Sequence, residues 1–183
     1  RFGNEAGTFL DVPVVPSLVF IKSDEEILIG EQVRSQRLGL TQPESLFKAF
    51  KRDLATDVQP PPRWIDGTEY SVELVSEVFI KQIWQKLQDQ NIRPSKLVLT
   101  IPVGAFERYI NWFRELADQL GVYKVLLVDE STAAALGYAV QSPESLVLVI
   151  DLGGGTLDLS LVRTAFGENE QELKGEVVAK ADA

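Results

Sequence analysis

Three observations predict an α/β fold. Short apolar runs rich in β-formers alternate with longer stretches whose apolar residues recur every three or four positions. The run Leu146 to Leu152 is almost continuously apolar, and the glycine turn Gly153-Gly154-Gly155 joins it to an alternating run, Leu157 to Val162. Strand, helix, strand, helix, strand in the second half is the pattern of a sheet covered on both faces.

Leu18 to Ile21 and Ile27 to Ile29, parted by the polar stretch Lys22 to Glu26, predict a hairpin. Glu31 to Arg37 predicts a short helix. A second helical segment opens at Thr41 and Pro43 with Leu46, Phe47 and Phe50 on one side. Lys48, Lys51 and Arg52 fall in its last turns, where cations offset the carbonyl end of the dipole. Gln59-Pro60-Pro61-Pro62 is a connector, because consecutive prolines join neither a helix nor an interior strand.

Beyond the connector, Ser71 is placed to cap a helix, with Tyr70 and Val75 at the positions of a hydrophobic staple. Val72, Val75, Phe79, Ile83 and Leu87 line one face, and Glu77 stands four residues before Lys81. Lys96 to Ile101 reads as a strand ended by Pro102. Ala105 to Leu120 reads as a helix burying Phe106, Ile110, Phe113, Ala117 and Leu120, closed by Gly121. Lys124 to Val128 is a strand, Thr132 to Val140 an Ala-rich helix, and Leu146 to Leu152 a third strand; Trp84 and Trp112 read as core. Gly167 to Lys174, with Glu168, Glu170 and Glu172, reads as a solvated loop between strands.

The 183 residues include 18 Lys and Arg against 27 Asp and Glu, a net charge of −9, and no Cys, His or Met. Disulfides, thiolate nucleophiles, imidazole bases and zinc sites of the usual ligand types are therefore excluded. Catalysis has to rest on carboxylates, hydroxyls, amines or a borrowed metal. The charge argues against a general nucleic-acid or anionic-membrane binder, which needs a basic face. No apolar run approaches the ~18 residues of a membrane span, and no secretory signal is present. Residues 121–183 carry 4 basic and 10 acidic side chains, so a cation is most welcome there. The start at Arg1 and the absence of Met predict a piece of a larger protein.

The most informative stretch is Asp151-Leu152-Gly153-Gly154-Gly155-Thr156-Leu157-Asp158. No Gly-Lys-Ser/Thr follows, so it is not a Walker A loop. Asp158 stands where a dinucleotide fingerprint has its third glycine, and a strand follows instead of a helix. Three glycines let successive backbone N–H groups approach phosphate oxygens, and Thr156 adds a hydroxyl. Asp151 and Asp158, on the strand ends flanking the turn, can aim at one divalent cation; two acids beside a polyphosphate make sense only if a metal screens them. The alternative is an ordinary glycine hairpin with solvated aspartates. In Asp129-Glu130-Ser131-Thr132, acids end a strand and begin a helix. Glu130 can orient a metal-bound or attacking water while Thr132 caps the helix; the alternative is that Asp129 and Glu130 only complement the helix N-terminus. Lys51 can supply the cation that phosphoryl transfer needs near the terminal phosphate, or be a surface lysine.

Four segments, in order and at matching separations, resemble the nucleotide-binding domain of heat-shock protein 70 (DnaK-type) chaperones. They are Pro16 to Phe20 with Ile29 to Gln32, Leu46-Phe47 leading to Lys51-Arg52, Leu97 to Pro102 running into Val128 to Ala135, and Ile150 to Ser160. The resemblance implies an actin-like ATPase (ribonuclease H-like) fold, incomplete, mostly the first lobe. On it, residues 1–62 are a peripheral subdomain, 63–144 the rest of the first lobe with a βαβα core, and 145–183 the opening strands of the second lobe with the phosphate hairpin. It also implies ATP or ADP and Mg2+ as cofactors. Asp151 and Asp158 fall on the family's two metal-water aspartates, Thr156 on its threonine near the terminal phosphate, Glu130 on its glutamate near the metal waters, and Lys51 on its essential lysine. An extra residue between Phe47 and Lys51 leaves Lys48 open for that role. Ser131 replaces the family's proline, and Val103 to Arg108 differs from its polar segment at this point. The first phosphate loop is expected before Arg1 and the adenosine-binding lobe after Ala183. A cytoplasmic ATPase module, truncated and not competent alone, is the implied function. Its implied partners are a J-domain co-chaperone, a nucleotide-exchange factor and unfolded peptide clients. The alternatives are a bacterial actin-like (MreB-type) filament subunit and a nucleotide-binding scaffold without turnover.

Overall fold

The computed structural model describes residues 2–3, 9–10, 15–102, 107–139, 144–152, 157–167 and 173–182. The chain divides into two compact units, Arg1–Arg93 and Pro94–Ala183.

In the first unit β1 (Phe2–Gly3) pairs antiparallel with β2 (Phe9–Leu10). The predicted hairpin is present as β3 (Leu18–Ser23) and β4 (Glu26–Ile29), with Val19 opposite Ile29. Val19, Phe20, Ile21 and Ile29 are buried. Helix α1 (Glu31–Ser35) follows, two residues shorter than expected. Gly39 then turns with φ +90, where an added Cβ would lie 2.6 Å from Leu46 Cδ2, so only glycine lets the two segments approach.

The helical segment expected from Thr41 through Arg52 is corrected in its first part. Pro43–Ser45 forms one 3-10 turn, and Leu46–Lys48 is β5, paired antiparallel with the free edge of β3. An unpaired strand edge beside two β-compatible apolar residues wins over a helical pattern of only two turns, because the ladder satisfies the backbone while burying Phe47. Ala49 adopts a left-handed conformation, φ 62 and ψ 11, and the helix begins only at Phe50 as α2 (Phe50–Ala55). Lys48 therefore sits on a strand and Lys51 in the first turn of α2. Only Arg52 keeps the expected place in a last turn.

Residues 59–62 carry no regular structure, as three prolines require. A hairpin not foreseen follows, β6 (Arg63–Ile65) and β7 (Thr68–Tyr70), closed by Asp66 (φ 51) and Gly67 (φ 86). Two successive positive φ values make the Asp-Gly turn that two-residue hairpins favour. Asp24, in the β3–β4 turn, accepts hydrogen bonds from Thr68 Oγ1 (2.5 Å) and Tyr70 OH (2.8 Å), which tie the two hairpins together. Those bonds, Thr68's first, hold the Asp24 carboxyl below its ordinary value; burial and then Asp24 push the Tyr70 phenol up to about 12.

A pH dependence follows for Asp24. A carboxylate whose folded pKa lies below its unfolded one contributes stability fully above the unfolded value and loses it as pH falls through the folded one. Denaturation of the wild type and Asp24→Asn should therefore show a gap at neutral pH that closes in strong acid. A gap independent of pH would refute the assignment.

Helix α3 (Val72–Asp89) starts where expected, with Ser71 Oγ accepting from Leu74 N at 3.2 Å. Tyr70 and Val75 are buried on either side of the cap, and Lys81 pairs with Glu77 at 2.5 Å. Val72 and Val75 are buried and Phe79, Ile83 and Leu87 half-buried; Phe79 meets the Phe50 ring edge-on at 5.3 Å, which joins α2 to α3.

In the second unit β8 (Leu97–Ile101) and β9 (Val125–Asp129) are parallel neighbours, with α4 (Glu107–Gln119) between them in sequence. Ala117 is buried and Ile110, Phe113 and Leu120 half-buried. Phe106 lies outside the described residues, and Tyr109, passed over in the sequence, is 2% exposed. Gly121 (φ 73) ends the helix, and Val122 N donates back to Ala117 O at 2.9 Å, the C-terminal cap expected.

Helix α5 (Glu130–Ala139) leads to β10 (Leu146–Leu152), β11 (Leu157–Phe166) and β12 (Leu173–Asp182), an antiparallel sheet in that order. Among the described residues β10 does not extend the β8–β9 sheet, which corrects the expectation of one sheet covered on both faces. A four-residue connection makes β11 its nearest partner, and antiparallel pairing needs no crossover. Helix α5 lies on one face of this sheet, over β12, β11 and β10. On the opposite face Leu146, Leu148 and Ile150 are 59–61% exposed, so a run read as uniformly apolar has two unlike faces.

Candidate carboxylate cleft

Antiparallel register decides which side chains can act together. Asp151 on β10 stands directly opposite Asp158 on β11, and Val149 directly opposite Ser160. Opposed residues share a face, and residues two apart along a strand share it too. These four therefore project from the face on which α5 lies.

The helix contributes its first turn. Glu130 opens α5, and Asp129, the last residue of β9, serves as its cap: its carboxylate accepts from Thr132 N (2.6 Å), Thr132 Oγ1 (2.6 Å) and Ser131 Oγ (2.8 Å). This corrects the expectation for Thr132, which donates to the cap and is not itself the cap. Burial alone would raise the Asp129 carboxyl, but the bonds from Thr132 and Ser131 outweigh it and hold it below its ordinary value. Asp129 is spent on the helix. Glu130, the next residue, is among the residues that line the cleft.

Pro102, Glu130, Ser131, Ala134, Val149, Ile150, Asp151, Asp158 and Ser160 line a cleft of about 220 Å³. Three of the sequence-derived candidates, Glu130, Asp151 and Asp158, thus meet on one surface. Gly153, Gly154, Gly155 and Thr156 lie outside the described residues, and Lys51 belongs to the other unit. Ser160 is a cleft residue the sequence reading did not propose; it is 4% exposed, and its place two residues after Asp158 on a strand was the available signal.

The donor set is chemically uniform. Carboxylates and a hydroxyl are hard oxygen donors, suited to magnesium or calcium and not to softer metals. Among the described residues no group of three or more acids stands close enough to grip one ion directly. Two carboxylates directly opposite across an antiparallel pair repel each other, so a cation near them is favoured electrostatically.

A family model described as MreB/Mbl protein matches residues 64–166, which contain all three cleft carboxylates. Among curated proteins, the chaperone protein DnaK of Endomicrobium trichonymphae is 32% identical over 160 residues, covering 85% of this chain and 25% of that protein. DnaK of Methanothermobacter thermautotrophicus is 30% identical over 157 residues, covering 83% and 25%, and DnaK of Thermotoga maritima 31% identical over 157 residues, covering 84% and 26%. The chain spans about a quarter of the length of the curated relatives it matches. Among the described residues no helix is long and apolar enough to cross a membrane.

Proposed function

Because the chain belongs to the actin-like ATPase family, matching its MreB/Mbl members by family model and its DnaK members along most of its sequence, we propose that it is the ATP-binding and hydrolysing module of a heat-shock protein 70-like chaperone. The observation that carries this reading is the opposed pair Asp151 and Asp158, with Glu130 of α5 on the same cleft. The cleft's volume lies below the ~300 Å³ lower end for small-molecule pockets. It suits a hydrated cation and a terminal phosphate, with the rest of a nucleotide held by other walls.

Magnesium, when bound, supplies positive charge beside the phosphates and screens the two acids. The chain's residues do the positioning. Asp151 and Asp158 would hold such a cation through its waters, and Glu130 would orient water at the start of α5. The glycine turn 153–155 offers its amides and Thr156 its hydroxyl to phosphate oxygens, following the resemblance. Following the same resemblance, Lys51 keeps the proposed role of the essential lysine. Peptide clients, a J-domain co-chaperone, a nucleotide-exchange factor and a cytoplasmic location belong to the same proposal.

Single-turnover hydrolysis tests it, on the longer protein where the chain is part of one. Lys51→Ala should slow turnover by about 10²-fold, while Lys48→Ala leaves it within a few-fold. The reverse ranking would move the role to Lys48, and no change in either would remove lysine from the chemistry. Calorimetry should show weak or no Mg–ATP binding by the 183 residues alone; tight binding would contradict a truncated module.

The match to the MreB/Mbl model favours a second reading, a filament subunit. Sedimentation with ATP separates the two: polymer supports the filament, a soluble monomer the chaperone module. A scaffold without turnover would bind nucleotide and show no single-turnover hydrolysis.

A further inference from the structure

We propose that Pro60-Pro61-Pro62 together with Trp64 is a docking segment for a partner whose surface is a groove lined by aromatic side chains. This inference does not depend on the ATPase reading. Gln59, Pro60 and Pro61 each precede a proline, which bars the helical region to them and holds them extended, while each proline ring fixes its own φ near −65°. The outcome is a left-handed polyproline II segment imposed by covalent geometry, with no internal hydrogen bonds and its carbonyls open to a partner.

Exposure shows that the three prolines and the Trp64 side chain are left open by their own unit. Every residue from Pro60 to Trp64 is exposed. Trp64 is 70% exposed and Val58, just before the run, 87%. Large apolar groups open to water are costly in proportion to area. Exposed Trp is also the residue type most enriched where binding energy concentrates.

Both ends are held. Upstream, Thr56 Oγ1 donates to Asp53 O (2.8 Å) and Val58 O (3.1 Å). Downstream, the Arg63 guanidinium donates to Glu44 O (3.1 Å) and Leu46 O (2.8 Å) and lies over the Phe47 ring at 4.5 Å. Arg63 turned inward on β6 leaves Trp64 turned outward, since neighbours on a strand face opposite ways. A segment already stiff and anchored loses little entropy on binding.

The spacing narrows the partner. Grooves of the SH3 type read prolines three residues apart, and position 63 is arginine, its charge already engaged within the unit. A groove that takes adjacent prolines beside an aromatic, as WW domains offer, fits better.

The test titrates the whole chain into a fluorescently labelled WW domain and reads anisotropy, with an SH3 domain in parallel. Saturable WW binding is expected, weakened at least tenfold by Pro61→Ala/Pro62→Ala and by Trp64→Ser. Tyr123→Ser, at an 89% exposed aromatic in the other unit, should leave it unchanged. Thermal melts of each variant check folding, and Trp64→Ser carries the comparison if the proline variant melts differently. No saturable binding by the wild type would overturn the proposal. So would binding that survives the substitutions, or equal capture by the SH3 domain unaffected by the prolines.

Discussion

Asp158→Asn is expected to slow magnesium-dependent ATP hydrolysis by about 10²- to 10³-fold and, in the same protein without metal, to raise thermal stability. The two effects share one cause. Asp151 and Asp158 are directly opposed across β10 and β11, where like charges destabilise the pairing. Removing one charge relieves that cost and, on the proposed function, also removes an acceptor for the waters of a bound cation. Asp151→Asn should behave alike, and the double variant should gain less than the sum of the single gains, because the repulsion is already gone after the first. Low ionic strength is the condition to use, since salt screens exposed charges. Magnesium should raise the melting temperature of the wild type and leave that of the double variant unmoved. If Asp158→Asn instead melts lower without metal, the carboxylates are not the strained pair on which the cation argument rests.

Gly175→Ala is expected to destabilise the second unit by about 1–3 kcal/mol, the usual range for overpacking. An added Cβ on β12 would meet Thr132 Cγ2 at 2.9 Å, with Leu136 and Val162 each at 3.5 Å. Thr132 cannot yield cheaply, because its amide and hydroxyl both donate to Asp129. The displacement would reach the turn that carries Glu130, so hydrolysis should fall with stability. Gly137→Ala is the matched control: nothing lies within 4 Å of its added Cβ, and in the interior of α5 it should gain about 1 kcal/mol. Chemical denaturation reads both, and a neutral Gly175→Ala would show that α5 is not held against β12 at this point.

The elements that sequence placed well are those whose signals are local. Ser71 caps α3 because a serine before an apolar-periodic run has a donor three residues ahead. Gly121 ends α4 because only glycine turns left without strain. The β3–β4 hairpin, the start of α3, the extent of β10, and the exposed proline connector follow from the same short-range chemistry. The Asp66-Gly67 hairpin was equally open to such a reading and was passed over. Leu46–Lys48 was not open to it: whether two apolar residues join a helix or a ladder depends on a free strand edge supplied by residues nearly thirty positions away.

For the cleft, sequence determined the chemistry: with no Cys or His, only carboxylates, hydroxyls and lysines remained, and the stretch from Asp151 to Asp158 named two of them. It could not determine that they face each other, that Ser160 joins them, or that Asp129 is consumed as a cap while Glu130 stays on the cleft. Those facts are properties of register and of where a helix begins. Register is set by pairing between strands, and a slip of one residue would turn each of these side chains to the opposite face. Composition and spacing fixed which groups were available; only the tertiary pairing decided which of them share a surface.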